Sequence, residues 1–134
     1  MGTRGLIVIK YKNKHVSLYV HFDTYSEGLG VDLVEFLQSL FNNKDDYERF
    51  LQNLLYSDIV KDDPKPYTID TLYELVQNPI VLHDNEDFIN DAVLCEYVYE
   101  IDFDNDRFQG THFSQISTEW ICEINNRNRV GNYW

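Results

Sequence analysis

The stretch LIVIKYKNKHVSLYVHFD, residues 6–23, decides the fold of this chain. It holds two runs rich in β-branched and aromatic residues, 6–11 and 15–23, separated by a polar turn at residues 12–14. In the second run apolar and polar residues alternate, which is typical of a strand with one buried and one exposed face. The first run is apolar on both faces, which favours a more central position in a sheet. The sequence therefore predicts an N-terminal β-hairpin.

Three apolar stripes at helical spacing follow the hairpin and predict three amphipathic helices. They cover residues 29–41, 47–57 and 68–77. Gly28 and Gly30 are expected to supply the turn before the first helix. Asp45 or Asp46 is the expected N-cap of the second helix, and Thr68 that of the third.

The C-terminal part of the chain returns to strand patterns. They cover residues 94–103, 107–113 and 119–124. The order hairpin, helices, hairpin predicts a single α+β domain over residues 1–134, because the alternation of a doubly wound parallel sheet is missing. We expect an antiparallel or mixed sheet built from the N- and C-terminal hairpins, with about three helices on one face. Residues 128–134 are a candidate flexible tail.

The charge of the chain is strongly negative and unevenly spread. The 134 residues carry a net charge of −12, and residues 23–106 hold 21 acids against four lysines and arginines. Such a surface would be repelled by the phosphates of duplex nucleic acid, so direct duplex binding is not expected. A protein partner with a basic surface is the predicted binding partner, with mimicry of nucleic acid or plain solubility as alternatives.

Composition also predicts the class of protein and its compartment. A hydrophobic content of 43% with 15% aromatic residues indicates a packed globule. No run is apolar enough to cross a bilayer and the start lacks a signal-peptide pattern, so a cytoplasmic protein that binds no membrane is expected. Cys95 and Cys122 lack paired metal-ligand spacing and are expected to be reduced thiols. The sequence predicts no metal and no cofactor.

A polar cluster at residues 21–25 is the candidate site. A histidine two residues from an aspartate on one strand face can be held and raised in pKa, as a general base would be, so His21 and Asp23 are candidate catalytic residues. The alternative is that His21 pairs with a carboxylate on an exposed sheet face. Thr3 is a third catalytic candidate, since its position before the first strand has the layout of an N-terminal-nucleophile hydrolase.

Three segments of the chain together resemble a known group of proteins. They are MGTRG at residues 1–5, HFDTYSEGLG at residues 21–30 and YVYEIDFD at residues 97–104. Their order and spacing are similar to those of a protein family with an MGTRG start, an HFDSYPxGLG-like block and a later YxYxIDxD strand. Ser26 stands where that pattern has proline. The family has no established activity, so the resemblance implies the location of a site and no chemistry.

Arg4 lies between two glycines and is the candidate link between the hairpins. Its guanidinium could pair with Asp23 or Asp102, or it could receive an anionic ligand. The predicted binding residues are Arg4, His21, Asp23, Tyr25 and Asp102. The sequence favours a module that binds another macromolecule, with a hydrolase using Thr3 or a His21–Asp23 pair as the alternative.

Overall fold

The computed structural model describes residues 4–61, 65–85, 96–105, 107–113 and 118–125. The strands are β1 (Gly5–Tyr11), β2 (Lys14–Val20), β3 (Ile59–Val60), β4 (Leu82–His83), β5 (Tyr97–Asp102), β6 (Arg107–Phe113) and β7 (Thr118–Asn125). The helices are α1 (Val31–Phe41), α2 (Lys44–Tyr56) and α3 (Ile69–Gln77), and a short π-helical turn, Ser26–Gly30, precedes α1. Among the described residues, no helix has the length and apolarity that spanning a bilayer requires.

The predicted N-terminal hairpin is formed by β1 and β2, which pair antiparallel. Its turn residues Lys12 and Asn13 have φ angles of 46° and 66°. Positive φ at both central residues is the feature of a type I′ turn, whose twist matches that of the flanking strands. Asn13 adopts this conformation at little cost, because its short polar side chain tolerates the left-handed region.

Strand β1 lies inside a mixed five-stranded sheet with the order β2-β1-β5-β6-β7. It pairs antiparallel with β2 and parallel with β5, while β5, β6 and β7 pair antiparallel in sequence. A parallel pair needs a long crossover, which the three helices between β2 and β5 provide. The α+β arrangement is therefore confirmed, and the apolar run of β1 occupies an inner position as predicted.

The three predicted helices are present with small shifts at their ends. Thr68 caps α3 as predicted, because its hydroxyl accepts a hydrogen bond from the Asp70 N–H at 3.2 Å. The prediction for α2 was wrong: Asn43, not Asp45 or Asp46, is the N-cap, and its side chain accepts from the Asp46 N–H at 3.2 Å. Helix α2 consequently begins three residues before the predicted start, and both aspartates lie in its first turn.

The main core lies between the helices and one face of the sheet. Strand residues such as Ile7, Leu18 and Tyr99 are fully buried there against Phe36 and Phe50 of the helices. A smaller buried cluster of Leu6, Val8 and Val98 lies on the opposite sheet face. Burial of β1 on both faces explains why its run shows no alternation.

The outer edge of β2 is covered by the segments around β3 and β4, which pair parallel with each other. The Tyr67 N–H donates to the Tyr19 carbonyl at 2.7 Å, and the Asn85 N–H donates to the Ser17 carbonyl at 2.8 Å. The Asp84 carboxylate in turn accepts from the Ser17 N–H at 2.8 Å. These bonds occupy edge groups that would otherwise be open to pairing with another chain. They also bring Tyr67 next to the end of β2, where the candidate site begins.

Candidate functional site

The polar block at residues 21–25 follows β2 as a turn and does not continue the strand. Strand β2 ends at Val20, and Asp23 has a φ of 56°. This left-handed conformation is unfavourable for most residues but tolerated by aspartate, whose short side chain can bond locally. The expectation that His21 and Asp23 share one strand face was therefore wrong, because the backbone changes direction between Val20 and Asp23.

The turn leads into α1 through the π-helical segment Ser26–Gly30. The Leu29 N–H donates to the Asp23 carbonyl at 2.9 Å, and the Gly28 N–H donates to the Tyr25 carbonyl at 3.0 Å. A Cβ atom on Gly28 would lie 2.6 Å from the Asp23 carbonyl oxygen, so glycine is required there for space. The amides of this turn are thus engaged within the protein, and they do not form a phosphate-binding loop.

A cavity of about 390 Å³ opens beside this turn. It is lined by Val20, His21, Phe22, Asp23, Leu29, Asp32, Pro66, Tyr67, Thr68 and Ile69. Its inner lining is apolar, since Val20, Leu29 and Tyr67 are buried. Its outer lining is exposed and acidic: the Phe22 ring is 63% exposed, and Asp23 and Asp32 are exposed carboxylates. We name this feature the Asp23 cavity.

The turn that borders the Asp23 cavity is fixed by the C-terminal hairpin. The hydroxyl of Tyr99, a fully buried residue of β5, donates to the Thr24 carbonyl at 2.7 Å. Thr24 is itself buried and packs close to Gly5 of β1. These contacts hold the backbone of the turn against β1 and β5.

Tyr99→Phe is expected to lower the free energy of unfolding by about 1–2 kcal/mol, because the buried Thr24 carbonyl loses a donor. Urea denaturation monitored by tyrosine and tryptophan fluorescence measures the loss. Tyr56→Phe is the control, since the Tyr56 side chain is 68% exposed. Equal stabilities of the two variants would show that the Tyr99 hydroxyl does not hold the turn.

His21 is held by a tyrosine and not by Asp23. Its Nδ1 lies 2.6 Å from the Tyr19 hydroxyl, and its ring meets the Phe22 ring edge-on with centroids 4.4 Å apart. The Asp23 carboxylate instead accepts from the Tyr25 hydroxyl at 3.4 Å. The negative charge of Asp23, followed by desolvation and this hydrogen bond, raises the pKa of Tyr25. The pairs of this turn orient side chains around the cavity without forming a His21–Asp23 dyad.

Asp102 lies far from the Asp23 cavity. It ends β5, about 17 Å along the strand from Tyr97, whereas the cavity borders the opposite end of the sheet. Its carboxylate accepts hydrogen bonds from Asn105 and from the Asp104 N–H, which closes the β5–β6 turn. Partial burial raises the pKa of Asp102, but these hydrogen bonds and the charge of Lys10 outweigh it, so the pKa is lowered. Asp102 stabilises the β5–β6 turn and does not line the Asp23 cavity.

Arg4 does not link the hairpins in the predicted way. Its carbonyl accepts from the Glu96 N–H at 2.9 Å, next to the start of the β1–β5 ladder. Among the described residues its guanidinium forms no ion pair with Asp23 or Asp102. The backbone pairing of β1 with β5 makes the connection that the side chain was expected to make. Thr3, Cys95 and residues 128–134 lie outside the described residues.

Sequence reasoning missed residues 66–69, which supply four of the ten residues that line the Asp23 cavity. Of the predicted binding residues, His21 and Asp23 line it and Tyr25 contacts Asp23. The segment from Pro66 to Ile69 was not predicted, since it reaches the cavity through the bridge between Val20 and Tyr67. Asp32 was also missed, although its place in the sequence could have indicated it: it is an acid on the first turn of α1, directly after the turn.

Within the described ranges no group of three histidine, cysteine or acidic residues could hold a metal ion. Comparisons of the chain with protein-family models, with curated proteins and with solved structures return no match. The resemblance of the three sequence segments therefore stays a prediction.

Proposed function

We propose that this protein is a binding module whose partner is a protein with a basic surface, and that a basic side chain of the partner enters the Asp23 cavity. The observation that carries the proposal is the combination of an apolar cavity with two exposed carboxylates, Asp23 and Asp32, at its opening. An ammonium or guanidinium group can meet the carboxylates while its aliphatic stem packs on the apolar lining.

The two carboxylates, Asp23 and Asp32, have no ion-pair partner among the residues that the structure describes. The net charge of −12 adds a long-range field of the same sign. Such a field raises the association rate of a cationic partner and disfavours anionic ones.

Phe22 supplies the apolar contact at the opening of the cavity. Its ring is 63% exposed, although large apolar side chains gain by burial. The ring stands edge-on to His21, whose position is fixed by Tyr19. This contact holds the Phe22 ring at the surface. An aromatic face beside carboxylates is a favourable environment for arginine, which stacks on rings and pairs with acids.

The test is a selection of peptides from a random library displayed on phage, with the purified wild-type chain as bait. We expect enrichment of peptides in which arginine or lysine is flanked by apolar residues. The double variant Asp23→Asn/Asp32→Asn should bind a selected peptide about tenfold more weakly, since it loses both charged contacts. Calorimetric titration at low salt measures the two dissociation constants.

The matched control is Asp45→Asn/Glu48→Gln, which removes two exposed charges from α2 outside the cavity lining. Asparagine at position 23 tolerates the left-handed backbone, so the double variant is expected to fold, and its circular dichroism checks this. Enrichment of neutral peptides only, or equal affinity of the double variant and the wild type, would contradict the proposal.

A further inference from the structure

A second cavity of about 440 Å³ lies between α1, α2 and α3. Its lining combines buried apolar residues with three carboxylates. The apolar residues include Phe36, Leu40 and Val76, and the carboxylates are those of Asp46, Asp70 and Glu74. Tyr73 also lines the cavity and is 46% exposed, and its ring meets the Phe36 ring edge-on. The second cavity thus resembles the Asp23 cavity, with an apolar lining, one exposed ring and the exposed carboxylates of Asp70 and Glu74. It differs in its third carboxylate, Asp46, which is half-buried and pairs with Arg49.

The two cavities are neighbours on one side of the molecule. Ile69 lines the Asp23 cavity, and Asp70, the next residue of α3, lines the second one. Burial and then the charges of Glu35, Asp32 and Asp70 raise the pKa of Tyr73. Asp32 belongs to the Asp23 cavity, so the negative field of one cavity reaches the ring of the other.

The cations of the described part of the chain neutralise this side only in part: Arg49 pairs with Asp46 at 3.8 Å, and Lys65 lies over the Tyr67 ring. Lys10 pairs with Glu100, and Lys14 donates to the carbonyls of Leu55 and Ser57 at the end of α2. In the described ranges, Asp70 and Glu74 take part in no ion pair. Among the described residues, the exposed carboxylates of Asp70 and Glu74 are thus left for a basic partner to meet.

We propose that the two cavities form one docking surface for an extended polypeptide segment that carries at least two basic residues, one for each cavity. This inference rests on the proposed function and specifies its partner. A polypeptide fits better than a small polycation, because both cavities offer apolar linings and exposed rings, Phe22 and Tyr73, that bare amines would leave unused. Two linked contacts also raise affinity beyond that of either one.

The test uses a basic peptide selected on the wild-type chain and the double variant Asp70→Asn/Glu74→Gln. We expect its dissociation constant to rise about three- to tenfold, as for the loss of two exposed charge contacts. The control Asp45→Asn/Glu48→Gln removes two exposed charges from α2, outside both cavities, and should change it less than twofold. Calorimetric titration measures the dissociation constant of the peptide for the wild type and for the two variants, and also for Asp23→Asn/Asp32→Asn. Spermine is titrated into the wild type as a bare polycation.

The outcomes separate this inference from the proposed function. If Asp23→Asn/Asp32→Asn weakens binding and Asp70→Asn/Glu74→Gln does not, the partner uses the Asp23 cavity alone and the inference is wrong. If neither variant weakens binding, both the proposed function and this inference are wrong. Spermine that binds as tightly as the peptide would also overturn the inference, because the surface would then recognise charge without a polypeptide.

Discussion

Gly5→Ala is expected to lower the free energy of unfolding by about 3 kcal/mol, near the upper end for overpacking a buried site. A Cβ atom at position 5 would lie 2.3 Å from the Tyr97 carbonyl oxygen and 3.3 Å from the Thr24 Cβ. The carbonyl belongs to the parallel β1–β5 pairing and cannot move without opening the sheet. The added methyl group would also displace Thr24, which Tyr99 anchors. Urea denaturation measures the loss.

The direction of the change in the free energy of unfolding shows whether the added methyl group of Gly5→Ala clashes. At an unstrained position, replacing glycine with alanine stabilises a protein by about 0.4–1 kcal/mol, because the unfolded chain loses conformational freedom. A clash must exceed that gain to show as destabilisation. A variant as stable as the wild type, or more stable, would mean that β1 and β5 are not as close at Gly5 and Tyr97 as the structure has them.

Asp84→Ala is expected to lower the free energy of unfolding by about 2–3 kcal/mol. The Asp84 side chain is 1% exposed, and its carboxylate accepts the Ser17 N–H at 2.8 Å. Without it, a buried amide on the edge of β2 loses its acceptor, which costs about 1–3 kcal/mol. The ion pair with Lys61 spans 3.8 Å and the lysine is 71% exposed, so it contributes little.

Asp84→Asn is the matched control for this site. Its amide oxygen can still accept from the Ser17 N–H, so we expect it to retain most of the stability that Asp84→Ala loses. The comparison by urea denaturation at neutral pH separates the hydrogen bond from the charge. Equal losses in the two variants would show that the charge of Asp84, and not its hydrogen bond to β2, stabilises the fold.

The local elements of this fold are predictable from the sequence, and the reason is physical. Alternation in β2 and the apolar stripes of the helices record which side of each element is buried. The cap at Thr68 likewise depends only on residues next to it in the chain. The parallel pairing of β1 with β5 is not predictable in this way, because it joins Gly5 to Tyr97 across the three helices.

The candidate site was likewise predictable only where it depends on residues that are close together in the sequence. The position of His21, Phe22 and Asp23 at a cavity could be predicted, since a dense polar cluster followed by Gly28 marks a tight turn. Their geometry could not, because the left-handed φ of Asp23 is set by the bonds that close the turn. The contribution of Tyr67 depends on a bridge to Val20 that no local pattern encodes.

The proposed function places a basic segment of a protein partner in the Asp23 cavity. Its most direct test is an NMR titration of the labelled wild-type chain with a basic peptide selected from the phage library. We expect the amide shifts to change at residues 20–23, at Asp32 and at residues 67–69, with β5 and β6 almost unchanged. Shift changes confined to the hairpin turn at Lys12 and Asn13, or spread evenly over the acidic surface, would contradict the proposal.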